Sequence, residues 1–379
     1  MLSDGARRIE IGVVLQGGGA LGAYECGGMS ALLELMDEAE FAGCCPTLRA
    51  VSGVSIGAIN AACVVGAKDR KDARRRLSDL WDDLTLNAPD FWPKEAQRDL
   101  SLFGLPGFYL PRFNLVGFGT WTSYYSTRPL LRTLERHVDF AAINSSETCF
   151  VVTAVDVESG ELKRFSNRRI GSDEPCRITP SHILASGSLP PQFPWTEIGD
   201  RYYWDGGLVD NAPLGDAIDA FSSDSDVERV LVVLNLYPLR ARKPRTLADV
   251  EDRMHELSFG NHMRQDRRAA ERINDLVETI ERLAERVPPG QIDADLRLRI
   301  DRARLCKLIR IVDIDVQGVT AGEAVDDQHA SDGQFGLRDF SRETVRRRRA
   351  EGYRVARTSL SPIFASLGLA QSDTPQSTH

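Results

Sequence analysis

Short apolar runs broken by glycines dominate the first third of the chain. Ile9 to Leu15 is rich in Ile and Val and short, which predicts a buried strand, and it runs straight into Gln16-Gly17-Gly18-Gly19-Ala20-Leu21-Gly22. Beyond the glycines, Leu21, Met29, Leu32, Leu33 and Met36 fall close to helical spacing, so this part reads strand, glycine loop, helix. A second such unit follows: the β-branched stretch Leu48 to Val51 and the helix-like stretch Ile56 to Val65 are joined by Gly53-Val54-Ser55-Ile56-Gly57. Further on, Cys149 to Val155 and Val230 to Leu236 read as buried strands, and Ser159-Gly160 as a turn into the polar strand Glu161 to Phe165. After Pro244 the texture becomes helical and heavily charged through Met254 to Arg286. There Ile273, Leu276, Ile280 and Leu283 keep a narrow apolar stripe until Pro288-Pro289-Gly290 stops it. Leu308 to Val316 alternates as a strand does, so the C-terminal part is expected to return to the sheet. No internal repeat is visible.

The two glycine clusters carry candidate chemistry. A strand that turns sharply into a helix holds the middle residue at a strained, exposed corner, and small neighbours at Gly53 and Gly57 let the backbone fold tightly there. Ser55 is therefore the candidate nucleophile. The loop Gly17 to Gly22 aims backbone N–H groups and a positive helix end at one point, which suits either a phosphate or the oxyanion of an ester-cleavage intermediate. Gly17, Gly19 and Gly22 also have dinucleotide-fingerprint spacing, yet the second strand leads into the serine corner instead of ending on a ribose-binding acid; Glu38 and Glu40 precede that strand. Glycines serving only a tight turn are the plain alternative.

A third element is Tyr203-Trp204-Asp205-Gly206-Gly207, followed by Asn211-Ala212-Pro213. Glycine loop, serine corner and Asp-Gly-Gly in that order, with Asp205 about 150 residues after Ser55, are the three signatures of the patatin-like phospholipases, which the chain resembles from about Arg8 to Leu214. Ile183-Leu184-Ala185-Ser186-Gly187-Ser188-Leu189-Pro190-Pro191 is similar to that family's Ala-Ser-x-x-x-Pro segment. Pro106-Gly107-Phe108 and Asp339-Phe340-Ser341 resemble segments of bacterial members that carry a C-terminal extension.

The resemblance implies an α/β fold, a three-layer sandwich on a mainly parallel central sheet plus a C-terminal helical extension. It also implies a serine-aspartate dyad: Ser55 attacks an ester carbonyl, Asp205 takes its proton, and the N–H groups of Gly17, Gly18 and Gly19 hold the oxyanion, with Gly22, Gly53, Gly57, Gly206 and Gly207 shaping the motifs. No metal or organic cofactor is implied, and the partner is an acyl-lipid substrate. For Asp205 to act as a base it should be desolvated, which Tyr203, Trp204 and Leu208 are expected to supply. Many relatives place Arg or Lys before the last loop glycine, where this chain has Leu21, so preference for a phosphorylated headgroup is in doubt. Arg49 and Arg201 flank strands and read as solvated. None of the six histidines follows an acid in a glycine-rich turn as a triad member would; His182 reads as a packed residue. Two rivals stay open: a non-catalytic scaffold that binds lipid or a polyester granule, and a Ser-His-Asp esterase.

Composition changes this picture little. The chain has 379 residues, 42% of them hydrophobic, enough for one large α/β domain with a helical addition, and its net charge of −8 argues against a nucleic-acid partner. Its 7 cysteines include no Cys-x-x-Cys pair, which suggests neither a disulfide framework nor a zinc site and fits a reducing, cytoplasmic setting. Ile11 to Tyr24 and Ala50 to Ala67 are uncharged, but glycines and polar residues make them poor leaders or membrane spans. No signal peptide or transmembrane helix is expected, and peripheral contact with a membrane is left open. The expected organisation is a catalytic domain over 8–240, a C-terminal helical extension over 241–371 with a strand near 308–316, and a disordered tail over 372–379. Residues 91–125 are rich in aromatics, with Phe103, Phe108 and Trp121 among them, and read either as an irregular cover on the core or as a lid or lipid-facing segment. The run Arg346 to Arg349 reads as a solvated face of a final helix, with attraction to anionic lipid as the alternative.

Overall fold

The computed structural model describes residues 8–366 apart from 90, 94–95, 98–99, 113–117, 223, 225–226, 239–242, 245–246, 261, 289–292, 294–295, 298–299, 301–308 and 317–335. The tail expected from 372 onward lies outside the described residues. So do Leu308, which the expected strand includes, and Pro289-Gly290 of the expected helix stop.

One mixed sheet organises the chain. Strands β1 (Arg8–Leu15), β2 (Cys45–Gly53), β5 (Cys149–Asp156), β9 (Val227–Asn235) and β10 (Arg310–Asp315) run parallel in the order β10-β9-β1-β2-β5. Strand β8 (Arg201–Asp205) pairs antiparallel with β5, β7 (Thr196–Ile198) pairs antiparallel with β8, and β6 (Leu162–Ser166) pairs antiparallel with β5. A short ladder of β3 (Leu110–Pro111) and β4 (Tyr125–Ser126) stands apart.

Central parallel strands lie between two helical layers, and their side chains show it. In β1, Ile9, Ile11, Val13 and Leu15 join one apolar core while Val14 joins another; in β9, Val230, Val232 and Leu234 join the first while Leu231 and Val233 join the second. That alternation is the period of a strand buried on both faces. On the first face lie α1 (Gly22–Phe41), α2 (Ile56–Val65), α3 (Arg70–Asp83), α4 (Arg128–His137), α5 (Phe140–Ser145) and α6 (Pro180–Ser186); α7 (Leu214–Asp219) lies on the other with Phe221. Gly12 is part of that fit, since a Cβ there would stand 2.8 Å from Phe221 Cζ.

The C-terminal part closes on the same core. Beyond α8 (Leu247–Gly260) and α9 (His262–Arg286), β10 adds to the sheet edge, and α10 (Arg342–Ser366) packs along α1 so closely that a Cβ at Gly352 would lie 2.0 Å from Tyr24 O, and one at Gly27 the same distance from Arg349 O. Tyr24 Oη also donates to Asp315 O at 2.8 Å, tying α1 to β10. The stripe on α9 does not face the core: Ile273, Leu276 and Leu283 are exposed, and the helix is held by buried Val277 and by Asn274 Nδ2, which donates to Ile309 O at 2.7 Å.

Two expectations change. Phe108 is no surface residue: it is buried among Tyr109, Phe193 and Phe340, while Phe103 stands 75% exposed. The arginine run is only in part a solvated face: Arg346 is exposed, but Arg348 is buried and donates to Asp339 O, and Arg349 reaches Ser78 and Asp82. Asp339-Phe340-Ser341 explains the geometry. The Asp339 carboxylate accepts Ser341 N–H and Thr344 Oγ–H at the start of α10, and Phe340 stacks on Trp81 and meets Phe108 edge-on. Among the described residues no helix is long and apolar enough to cross a membrane.

Candidate active site

Ser55 stands at the corner between β2 and α2 with φ 54° and ψ −121°, alone among the described non-glycine residues in having a positive φ. A side chain in this region costs on the order of 1–3 kcal/mol, which the surrounding contacts must offset. They are close ones. Gly57 N–H donates to Val54 O at 2.8 Å, and Ser55 N–H donates to Ser186 Oγ at 2.9 Å. A Cβ at Gly53 would sit 2.5 Å from Gly57 O, and one at Gly57 only 2.4 Å from Leu15 O, so neither position has room for a larger residue.

Sheet topology brings Asp205 to this corner. Val151 of β5 pairs with Ser52 across one edge and Ser166 across the other, while Ala154 pairs with Asp205 and Lys163, so β2 and β8 share one edge of β5 and β6 takes the opposite one. Strand β2 ends opposite Val152 and β8 ends opposite Ala154, running toward it. Their C-terminal ends therefore meet. The Ser55 side chain faces the Asp205 carboxyl, near enough to favour its ionised form, and Gly207 N–H donates to Asp205 Oδ1 at 2.8 Å. Asp205 N–H in turn donates to Ser188 O at 3.1 Å, so Ser186 and Ser188 of one short segment fix the backbones of both residues. Burial pushes the Asp205 carboxyl up to about 7, against the opposing pull of the nearby Ser55 hydroxyl and of the bond from Gly207. Tyr203 is buried nearby against Phe165, but Leu208 is 44% exposed and does not help to cover the acid.

The glycine loop lies against Ser55, and a Cβ at Gly17 would come within 3.1 Å of Ser55 Cβ. Its N–H groups are not equivalent. Gly17 N–H is taken by Asn211 Oδ1 at 3.0 Å, which changes the expectation that it faces an oxyanion, and Ala20 N–H is taken by Leu337 O at 2.9 Å. Gly18 N–H and Gly19 N–H have no acceptor among the described residues. Gly19 carries φ 53°, and a Cβ there would strike Leu337 O at 2.4 Å; at Gly22 it would strike Ile56 Cγ1 at 2.6 Å. Leu21 folds back over Gly18, and no cation replaces it from the flanking strands: Arg201 pairs with Asp156, and Arg49 bonds Ala220 O.

The residues that hold this loop come from far along the chain. Asn211 both accepts Gly17 N–H and donates Nδ2–H to Gly17 O, Tyr237 Oη donates to the same carbonyl at 2.9 Å, and Gln16 Oε1 accepts Leu236 N–H at 2.8 Å. Asn211 stands beside the Asp-Gly-Gly element in the sequence, a cue to its neighbourhood but not to its task. Nothing local marks Tyr237 or Leu337. Among the described histidines, His137 pairs with Asp83, and His182 accepts Thr179 N–H and packs edge-on against Phe165. Burial pushes the His182 imidazole down. Among the described residues no His, Cys, Asp and Glu group suited to a metal ion is present.

A family model described as patatin-like phospholipase matches residues 13–218, which hold every residue of this site except Leu236, Tyr237 and Leu337. Curated protein sequences give no match. Among solved structures, VipD from Legionella pneumophila is 15% identical with a TM-score of 0.39, over 94% of this chain and 67% of that one. The ExoU–SpcU complex from the type III secretion system of Pseudomonas aeruginosa gives 11% identity and a TM-score of 0.27, over 96% of this chain and 59% of that one.

Proposed function

This chain belongs to the patatin-like phospholipase family, and from that premise we propose that it hydrolyses carboxylic ester bonds of acyl lipids through an acyl-enzyme on Ser55. Ser55 Oγ attacks the ester carbonyl as its proton passes to Asp205, and the carbonyl oxygen, now an oxyanion, accepts N–H groups from Gly18 and Gly19. Collapse of this intermediate expels the alcohol, which takes the proton from Asp205 and leaves the acyl group on Ser55. Water then attacks the acyl carbon, gives its proton to Asp205, and the second collapse releases the fatty acid and restores the serine. Each proton and charge in these steps is handled by a side chain or amide of this chain.

The meeting of the strained corner at Ser55 with the buried carboxyl of Asp205 carries this reading. An ordinary carboxylate is too weak a base for a serine hydroxyl, and a carboxyl raised to about 7 narrows that gap while remaining largely ionised just above neutrality. The absence of an imidazole between the two, among the described residues, supports a dyad over a Ser-His-Asp esterase. Exposed Phe91 and Phe103 support a lipid-facing role for part of 91–125, and the free thiols of Cys26, Cys44, Cys45, Cys63, Cys149 and Cys176 support a reducing, cytoplasmic setting. The test is to incubate the protein and its Ser55→Ala variant with a total lipid extract and follow both by mass spectrometry. Acyl lipids should disappear and fatty acids appear with the first alone. Equal lipid loss with both, or none with either, contradicts the proposal, and the second outcome favours the lipid-binding scaffold.

A further inference from the structure

Away from the serine corner, a cavity of about 320 Å³ opens between the C-terminal end of α3 and the first turns of α10. Arg342, Arg346 and Arg349 line one side of it, and their spacing places them on one face of the helix. Asp82, Thr85 and Asn87 line the other.

The cations here are poorly compensated. Arg342 Nε donates to Asn87 Oδ1 at 2.9 Å, a neutral acceptor. Arg349 is shared between Ser78 Oγ at 2.7 Å and Asp82 Oδ1 at 3.1 Å, and the Asp82 side chain is 71% exposed. Arg346 makes no hydrogen bond or ion pair with a described residue. Among the described acids nearby, Asp83 is held by Arg136 and His137, Asp339 is turned inward onto Ser341 and Thr344, and Glu343 of the first turn does not line the cavity. Among the described residues that line the cavity, three guanidiniums face one carboxylate, an excess of two positive charges in a chain whose net charge is −8.

We infer that this cavity is a binding site for a phosphate monoester group, offered either by a lipid headgroup or by free phosphate. The excess charge matches that of such a group near neutral pH, roughly 1.5 to 2 negative charges. Guanidinium forks on one helix face can take its oxygens in pairs, as ammonium groups cannot. The site lies outside the dyad, so Ser55→Ala protein binds equally well.

Two probes test this on the full chain, inorganic phosphate followed by calorimetry at constant ionic strength, and phosphatidylcholine vesicles with or without phosphatidic acid followed by co-sedimentation. Each charged hydrogen bond lost should weaken binding by roughly 10- to 100-fold, so Arg342→Gln/Arg346→Gln should abolish it. Asp82→Asn removes the opposing charge among the described lining residues and should tighten binding several-fold, an effect no loss of folding can imitate, and it serves if the arginine variant does not fold. Phosphate binding with indifference to phosphatidic acid assigns the free anion, and arginine-dependent sedimentation that requires phosphatidic acid assigns the headgroup. Failure of both probes to bind, or binding that Arg342→Gln/Arg346→Gln and Asp82→Asn leave unchanged, overturns the inference.

Discussion

The side-chain amide of Asn211 closes on both polar groups of the Gly17 peptide, accepting its N–H and donating to its carbonyl at 3.0 Å each. This contact joins the glycine loop to the turn that follows Asp205, for Gly207 lies against Asn211 as well. Asn211→Asp keeps the shape but sets a carboxylate against the Gly17 carbonyl in a buried place. Leaving such a group unpaired costs about 1–3 kcal/mol, and a loop displaced by 1 Å costs on the order of 100-fold in rate. Ester hydrolysis by Asn211→Asp should therefore fall by about that factor in kcat with KM little changed, measured beside circular dichroism to confirm folding.

The carboxyl of Asp205 imposes a pH dependence with a definite sign. Its folded pKa of about 7 lies above the ordinary aspartate value of 3.8, so between these limits the folded chain holds a proton that the unfolded chain has lost. Stability from this group is full below the lower value and is lost as pH rises through the upper one, by up to about 4 kcal/mol at roughly 1.4 kcal/mol per pKa unit. Activity should run the opposite way, with kcat/KM rising through pH 7 as the base ionises. Thermal melts of Asp205→Asn against the wild type should show the variant gaining stability at pH 8 relative to its standing at pH 5.

Helix propensity and packing disagree at Gly352. Alanine in a helix interior gains up to about 1 kcal/mol over glycine, but here its Cβ would stand 2.0 Å from Tyr24 O, a backbone atom that cannot step aside. Gly352→Ala should destabilise the chain by about 1–3 kcal/mol, the range of overpacking, as should Gly27→Ala. At Gly215 in α7 an added Cβ meets nothing within 4 Å, so Gly215→Ala should be neutral or mildly stabilising in the same denaturant melts.

Phe340 and Phe103 differ in burial. Phe340 is 2% exposed between Trp81 and Phe108, so Phe340→Ala should cost about 3–5 kcal/mol. Phe103→Ser, at a residue 75% exposed, should change stability by no more than about 0.5 kcal/mol. If Phe103 meets lipid, that variant should bind vesicles less well while cleaving short soluble esters at the normal rate.

What the sequence made legible was local. Ser55 needs a left-handed corner with no room at positions 53 and 57, and Asp205 needs a turn with no Cβ at positions 206 and 207, so glycines flank both and mark them. The strands announced themselves because both faces of β1 and β9 are buried, leaving short runs that are mostly apolar. Asn211, Tyr237 and Leu337 were silent because each acts on the glycine loop from 190 or more positions away, through a bond that any Asn, Tyr or carbonyl could make. The inward turn of Arg348 was hidden although Asp339 is near in sequence, because its partner is a backbone carbonyl, which no residue type marks.

The central claim is that Ser55 is a nucleophile activated by Asp205, and covalent labelling tests it most directly. The protein, treated with a fluorophosphonate ester and followed by intact mass and peptide mapping, should gain one adduct, located at Ser55. Ser55→Ala should gain none, and Asp205→Asn should label at least about 100-fold more slowly, as loss of a general base requires. A wild-type chain that stays unlabelled, or an adduct that forms as fast without the Asp205 carboxylate, would contradict the account.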